Sequence, residues 1–204
     1  MLTIIMVGGE MKRSKADTAE TRRHIVETAS HAFRKRGIDS IGLADIMAEA
    51  GLTHGGFYRH FGSKEQLVEE ACTASLRDLT EMFRTLGSAK DAPRRLKAIA
   101  TAYLSEPHRD NPADGCPLAA VGAEIARSER STRKAMTEGF RTLIDVIAGQ
   151  LAPLPAAAAR RKALAVMSTL VGALILSRMV SDPELSESIL AQARKQLIDS
   201  FPPD

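Results

Sequence analysis

The chain has 204 residues, of which 26% are charged and 44% hydrophobic, and its formal net charge is +3. This length is enough to bury a core, and the composition is that of an ordinary globular protein, which excludes a disordered or low-complexity chain. Two cysteines exclude a disulfide scaffold and fit a reducing compartment, so we expect a cytoplasmic protein.

The apolar start of the chain does not predict a signal peptide. Residues 1–7 lack the basic flank and the cleavage site that such a peptide needs. The glycine and glutamate codons just before Met11 are purine-rich, as a ribosome-binding site is, so we expect translation to start at Met11 and residues 1–10 to be an upstream extension. The apolar stretches are shorter than the roughly 20 residues that span a bilayer, so we expect no membrane association.

Apolar residues recur at helical spacing along the chain, without strand-type alternation, so we predict an all-α protein with a small N-terminal and a larger C-terminal bundle. Gly37 and Gly51 end the first two helices, and Ser63 with Gln66 forms a capping box that begins the fourth. Two prolines, an asparagine and a glycine predict a loop over residues 106–115. The nine predicted helices span about residues 21–36, 43–50, 53–61, 63–86, 93–104, 117–128, 131–151, 156–180 and 184–200.

The second and third predicted helices are joined by residues 50–53, a short turn that contains Gly51. This arrangement is the helix-turn-helix pattern, in which the second helix enters the DNA major groove and the first crosses the backbone. Each of Gly55 and Gly56 costs a helix about 1 kcal/mol relative to alanine, which makes sense if the helix must approach another surface closely. Tyr58 lies one turn after His54, on the same face.

Basic residues surround this segment, with ten lysines and arginines against six acidic residues between Met11 and Lys64. A helix that begins with Lys64 can meet a phosphate through its backbone N–H groups as well as the side chain. Short helix pairs with a glycine turn also occur in proteins that bind no DNA. A helical interaction protein that acts without DNA is therefore the alternative interpretation.

Residues 46–67, IMAEAGLTHGGFYRHFGSKEQL, carry a family resemblance. They resemble the TetR family of bacterial one-component repressors, whose pattern is matched at nearly every fixed position. Gly42 departs from this pattern, because the family often has serine or threonine there. The resemblance implies a homodimer that binds a near-palindromic operator, with its half-sites about one helical turn or a multiple apart.

The resemblance also implies domain boundaries and DNA-binding residues. It divides the chain into an N-terminal arm (1–18), a DNA-binding domain (19–79) and a ligand-binding and dimerisation domain (80–204). Lysines and arginines at positions 12–15 of the arm would contact the DNA backbone. The other implied DNA-binding residues are Arg22, Gly42, Thr53, His54, Gly55, Gly56, Tyr58, Arg59, His60 and Lys64.

The last two predicted helices are apolar over much of their surface, and in the family they form the four-helix bundle of the dimer. This implies a dimer interface that includes Leu174, Ile175, Leu185 and Ile189. The alternative is that these residues are intramolecular core. An unidentified small molecule or electrophile would bind in the C-terminal domain. Apolar residues at helical spacing are more often plain core than the lining of a pocket, and this is the alternative interpretation. The candidate ligand-binding residues are Phe83, Tyr103, Cys116, Val121, Ile125, Phe140, Met167 and Leu170.

Cys116 is a candidate sensor. Residues 115–120, GCPLAA, with Glu124 further on, resemble LmrA/YxaF-like and NemR-type regulators, and in NemR-type members the cysteine responds to electrophiles or oxidants. A cysteine at a helix N-terminus has a lowered pKa and a more reactive thiolate. The alternative is an inert residue at the end of a helix, which Pro117 favours because it matches LmrA/YxaF more than NemR.

The motifs of common enzymes are missing from the sequence. It contains no G-x-S-x-G, no H-E-x-x-H, no phosphate-binding loop and no cysteine–histidine spacing typical of metal sites. His54 and His60 are six residues apart, which places them on different faces of one helix. We therefore expect no catalytic activity, no cofactor and no metal.

Overall fold

The computed structural model describes residues 15–87 and 92–200, and within these ranges every regular element is helical. The prediction of an all-α fold is confirmed. The nine α-helices of the described residues are α1 (Lys15–Arg36), α2 (Leu43–Glu49), α3 (Lys64–Leu86), α4 (Ala92–Tyr103), α5 (Glu106–Asp110), α6 (Pro117–Ile125), α7 (Arg130–Gly149), α8 (Ala156–Met179) and α9 (Pro183–Asp199). Two 3₁₀ helices, η1 (His54–Arg59) and η2 (Pro112–Asp114), complete the fold.

The first helix begins earlier than predicted. Residues 15–18, assigned to the N-terminal arm, are part of α1, while the rest of the arm and the proposed start at Met11 lie outside the described residues. Asp17 lies in the first turn, where a negative charge interacts favourably with the helix dipole. Gly37 ends the helix with φ +90, and its N–H donates to the carbonyl of Phe33 over 2.8 Å.

The predicted helix-turn-helix consists of α2 and η1. Gly51 makes the turn between them with φ +69, a conformation that favours glycine. The third predicted helix is a 3₁₀ helix rather than an α-helix, and the N–H of Gly56 donates to the carbonyl of Thr53 over 2.9 Å. Two adjacent glycines disfavour the α-helix, and a short segment accommodates the tighter geometry.

Helix α3 joins the two halves of the molecule. Ser63 Oγ accepts the predicted capping bond from the N–H of Gln66 over 3.2 Å, but the Gln66 side chain accepts from Gly62 rather than from Ser63. The predicted domain boundary at residues 79–80 lies inside this continuous helix. A single hydrophobic core extends from Ile25 to Leu197, so the N-terminal and C-terminal parts are packed together.

Residues 106–115 were predicted to be a loop, and this prediction is wrong. They form α5 and η2, each of which has a proline in its first turn. A proline there costs little, because the first N–H groups of a helix have no partner within it. Ser105 accepts from the N–H of His108 over 3.4 Å and caps α5.

Helix α8 corrects the expectation about apolar stretches, since by length and composition it could cross a membrane. In this fold it packs against α6, α7 and α9, and residues such as Ala163, Met167 and Leu170 are buried there. These contacts place one side of α8 in the core of the helical bundle. Helix α8 begins at Ala156, after the turn that follows α7. The next helix, α9, is capped by Asp182, whose carboxylate accepts from the N–H of Glu184 over 2.9 Å.

Candidate DNA-binding interface and the bundle interior

Helix η1 buries aromatic side chains on one face and presents polar groups on the other. Phe57 and Phe61 are buried and stack on each other with their ring centroids 5.4 Å apart. Tyr58 remains 65% exposed, with its ring in edge contact with Phe57 at 5.2 Å. The phenylalanines therefore anchor η1 so that the tyrosine projects into solvent.

Most of the predicted DNA-binding residues lie on this exposed face. Thr53 is the residue before η1, as predicted, although no capping hydrogen bond uses its side chain. An added Cβ at Gly55 would meet no atom within 4 Å, so intramolecular packing does not require a glycine there. This observation favours an external surface as the reason for Gly55. The exposed or half-exposed predicted residues of this region are Thr53, His54, Gly55, Gly56, Tyr58, Arg59 and His60.

Lys64 makes intramolecular hydrogen bonds instead of projecting from the surface. Its Nζ donates to the carbonyls of Ile38 over 2.9 Å and Ile41 over 2.8 Å, both in the turn before α2. Gly42 follows this turn, and its N–H donates to the Asp45 carboxylate over 3.3 Å. Lys64, which was predicted to contact phosphate, and Gly42, which was predicted to lie at the DNA interface, thus both make hydrogen bonds at the start of the helix-turn-helix.

Arg22 is also held within the protein. Its guanidinium pairs with both carboxylate oxygens of Glu70, donates to the His60 carbonyl over 3.2 Å, and lies 4.4 Å from the centroid of the Phe61 ring. These bonds raise the pKa of Arg22 and lower the pKa of Glu70. Arg22 therefore fastens the end of η1 to α1 and α3.

The predicted ligand-binding residues are mostly part of the packed interior. Seven are buried and Phe140 is half-buried, and all eight belong to the core or pack against it: Phe83, Tyr103, Cys116, Val121, Ile125, Phe140, Met167 and Leu170. A cleft of about 270 Å³ lies instead between α1, α3 and the segment before α6. Its lining residues are His31, Arg34, Ser75, Asp78, Leu79, Met82, His108, Asp114 and Gly115.

Cys116 is fully buried, which favours an inert residue at the end of a helix over a reactive thiolate. Burial raises the pKa of its thiol and outweighs the opposing effects of the Tyr103 hydroxyl and of the N–H groups at the start of α6. The helix N-terminus that favours a thiolate is present, but the loss of solvent costs more. Burial likewise raises the pKa of Cys72 to about 12.

His108 links the end of α4 to Cys116, the residue before α6. Its Nδ1 is 2.7 Å from the Tyr103 carbonyl, and its Nε2 accepts from the Cys116 N–H over 3.0 Å. These partners require a neutral ring protonated on Nδ1. Arg178 of α8 donates to the carbonyls of His108 over 2.7 Å and Arg109 over 2.9 Å, and so caps the end of α5. Burial, with a smaller effect of Arg178, lowers the pKa of His108.

Replacing His108 with glutamine is expected to reduce the acid sensitivity of folding. Because the pKa of His108 is lowered from 6.5 in the folded protein, the unfolded chain binds more protons, and stability falls as the pH drops below about 6.5. The His108→Gln variant lacks this titration. Urea unfolding at several pH values above and below 6.5 measures it, and equal slopes in both proteins would contradict the assignment.

An exposed apolar surface runs along α8 and onto α9, and we name it the α8–α9 face. On α8, Leu164, Ile175 and Met179 lie on one side of the helix, and Met179 is 69% exposed. Leu176 of α8 and Leu185 of α9 are exposed as well.

Two of the four predicted dimer residues are not exposed on this surface. Leu174 is fully buried in the core of its own chain, because its side chain points about 100° away from that of Ile175. It therefore belongs to the intramolecular core, which was the alternative interpretation. Ile189 is half-buried, whereas Ile175 and Leu185 are exposed.

Comparison with known protein families decides the identity of this fold. The description "Bacterial regulatory proteins, tetR family" matches residues 25–71, which contain α2 and η1. A second description, "Transcriptional regulator LmrA/YxaF-like, C-terminal domain", matches residues 92–192. The chain belongs to the TetR family. Both parts of the resemblance seen in the sequence, in the helix-turn-helix and around Cys116, are thereby confirmed.

Known relatives of this TetR-family regulator are themselves transcriptional regulators. It is 40% identical over 89 residues to the probable regulator ArpR of Pseudomonas putida, which is 44% of this chain and 40% of ArpR. It is 27% identical over 137 residues to the repressor NemR of Escherichia coli, covering 65% and 67% of the two chains. The matched segment thus spans less than half of ArpR. The prediction of a regulator rather than an enzyme is confirmed.

Solved structures share the fold of the regulator over nearly its whole length. The reduced form of Escherichia coli NemR superposes with a TM-score of 0.74 at 19% identity, covering 87% of this chain and 95% of NemR. A TetR-family regulator from Cytophaga hutchinsonii gives a TM-score of 0.77 at 17% identity, covering 94% and 100%. At these identities the likeness establishes the arrangement of helices alone.

The hydrogen bonds of three groups that organise the regulator were not predicted from the sequence. These groups are Glu70, which pairs with Arg22, His108, which bonds to Cys116, and Glu124, which accepts hydrogen bonds from the turn after α1. Each partner is between 8 and 86 residues away along the chain, so no local spacing could have indicated these bonds. Among the described residues, no three His, Cys, Asp or Glu side chains converge as a metal site.

Proposed function

We propose that this regulator is a repressor that binds a near-palindromic operator as a homodimer and is released by a small molecule. The observation that carries the proposal is η1, whose buried phenylalanines hold a polar surface in solvent next to the helix-turn-helix turn. Tyr58 and His54 lie at the centre of that surface. They would contact the major groove, while Thr53 and Arg59 flank them.

The α8–α9 face supports the homodimer. Leucine, isoleucine and methionine side chains are exposed on this face, and large apolar side chains exposed together mark a protein interaction site. A two-fold axis through this face would pair α8 and α9 with the same helices of a second copy. Such pairing would present two η1 helices to successive major grooves on one side of the DNA.

Small-molecule binding in the C-terminal domain is the proposed route of release. A ligand that binds more tightly to a dimer with widely separated η1 helices would shift the population toward that form. The cleft between α1, α3 and the segment before α6 is accessible to such a ligand, whereas Cys116 is not. We therefore favour a small molecule over thiol modification, and we place this repressor in the cytoplasm.

A binding titration against the intergenic DNA upstream of its own gene tests the repressor function. We expect specific binding whose affinity falls steeply between about 50 and 200 mM salt, because phosphate contacts release counterions. An unrelated DNA fragment of equal length serves as the control. A helical interaction protein that acts without DNA would show no specific, salt-dependent affinity, and this result would overturn the proposal.

The two cysteines are expected to react slowly in the folded protein. Both are buried and their pKa values are raised, so the thiolate is scarce and inaccessible at neutral pH. A colorimetric disulfide reagent should titrate both thiols in guanidinium and react at least about 100-fold more slowly with the native protein. A fast native thiol that is lost in the Cys116→Ser variant would instead identify a sensor.

A further inference from the structure

The turn between α1 and α2 is held from two sides. From the C-terminal domain, Oε1 of Glu124 in α6 accepts from the N–H of Ile38 over 2.9 Å and from the N–H of Asp39 over 3.2 Å. From the opposite direction, Lys64 donates to the carbonyls of Ile38 and Ile41. The turn leads directly into α2, so these bonds set where the helix-turn-helix begins.

Gly37 allows α6 to approach the turn this closely. Its φ of +90 disfavours any other residue, and an added Cβ would lie only 3.1 Å from Oε1 of Glu124. The Glu124 carboxylate therefore packs directly against the backbone of Gly37, where α1 ends. The carboxylate accepts from both N–H groups as an ionised acceptor, and such charge-assisted bonds are stronger than those between neutral groups.

A second polar contact joins the same two parts of the molecule. Arg34 of α1 donates from Nε to the carbonyl of Ala113 in η2 over 2.5 Å. The guanidinium of Arg34 also bonds to the buried hydroxyls of Ser30 and Ser75, which keep it in place between α1 and α3. This contact fixes α1 against the C-terminal domain, while Glu124 acts on the turn that follows α1.

We propose that Glu124 is the positioning residue through which α6 sets the orientation of the helix-turn-helix. The inference rests on the proposed repressor function. A shift of α6 carries the carboxylate away from the N–H groups of Ile38 and Asp39, and α2 with η1 then loses its fixed orientation relative to the bundle. Only a fraction of the molecules can then bind the operator, and the apparent association constant is the intrinsic one multiplied by that fraction.

Three variants of the full-length protein separate positioning from simple stabilisation. Glu124→Ala removes the oxygen that accepts both hydrogen bonds, whereas Glu124→Gln keeps a neutral acceptor oxygen at the same distance from the helix. Glu138→Gln removes the same charge from an exposed position on α7 and serves as the control. Amide hydrogen exchange by NMR reports the two bonds directly without DNA, and titration with the upstream DNA reports operator affinity.

For Glu124→Ala we expect at least about tenfold faster exchange of the Ile38 and Asp39 amides and at least about tenfold weaker operator binding. Glu124→Gln should be intermediate, and Glu138→Gln should match the wild type. The exchange of core amides in α8 should stay protected in all three variants. This pattern would establish a positioning role, since a loss of global stability would accelerate exchange throughout the protein.

Two results would overturn the inference. If the Ile38 and Asp39 amides exchange at the wild-type rate in Glu124→Ala, the carboxylate does not hold the turn. If the wild type binds the upstream DNA and Glu124→Ala binds it equally well, the turn does not control the orientation, and the repressor function itself stands. Should Glu124→Ala not fold, Glu124→Gln answers both questions. Failure of the wild type to bind would overturn the repressor function and this inference together.

Discussion

Replacing Tyr58 with alanine is expected to weaken operator binding at least about 30-fold. A side chain that contacts a base edge contributes about 1–3 kcal/mol of discrimination, and a homodimer loses two such contacts at once. Tyr58 is 65% exposed and its ring rests only on the edges of its neighbours, so the substitution should change the free energy of unfolding by about 1 kcal/mol or less. Affinity is measured by fluorescence anisotropy with labelled upstream DNA.

The Tyr58→Phe variant is the matched control for this prediction. It keeps the ring and its edge contact with Phe57 but lacks the hydroxyl, so it separates a polar contact with DNA from packing within η1. An intermediate affinity would assign part of the effect to the hydroxyl. An undiminished affinity in Tyr58→Ala, with the wild-type salt dependence, would show that η1 does not enter the groove as proposed.

Replacing Ile175 with aspartate is expected to dissociate the homodimer. Two-fold symmetry would place both carboxylates in one interface, where an unpaired buried charge costs about 3 kcal/mol or more. The dissociation constant of the dimer should rise by at least about 100-fold. Ile175 is 42% exposed in the single chain, so the protomer itself should keep its helical content, as measured by circular dichroism.

Leu154→Asp controls for the loss of an exposed apolar residue. Leu154 is 40% exposed, close to the value for Ile175, but it lies in the turn before α8 rather than on the α8–α9 face. Sedimentation equilibrium over a range of protein concentrations should show a monomer for Ile175→Asp and a dimer for Leu154→Asp. A dimer in both variants would place the interface elsewhere on the surface.

The placement of helices followed from short-range sequence patterns. The capping serine at position 63 and the glycines at 37 and 51 correctly marked where helices begin and end. These signals depend on backbone groups within four residues, so a single sequence contains them in full. The helices of residues 106–115 were wrongly predicted to be a loop. Prolines usually indicate a loop, but here they lie in the first turns of α5 and η2, where a helix tolerates proline.

The direction of individual side chains was harder to predict. Leu174 and Ile175 are adjacent and equally apolar, yet one is in the core and the other in solvent. Because α8 is apolar around most of its circumference, periodicity alone did not reveal which side faces α7 and α9. The same difficulty applies to the predicted ligand-binding residues, whose apolar character fits a packed core and a pocket equally well.

The amino-acid sequence by itself determined the fold class, the family and the exposed face of η1, because these depend on local spacing and on one contiguous motif. Only the tertiary structure decided the state of the polar groups. Packing buries Cys116 and so raises the pKa of its thiol. Packing also brings Lys64 and Glu124 to opposite sides of the turn before α2, where both form hydrogen bonds with its backbone. Such effects arise from desolvation and from hydrogen bonds between residues far apart in the chain, which only packing brings together.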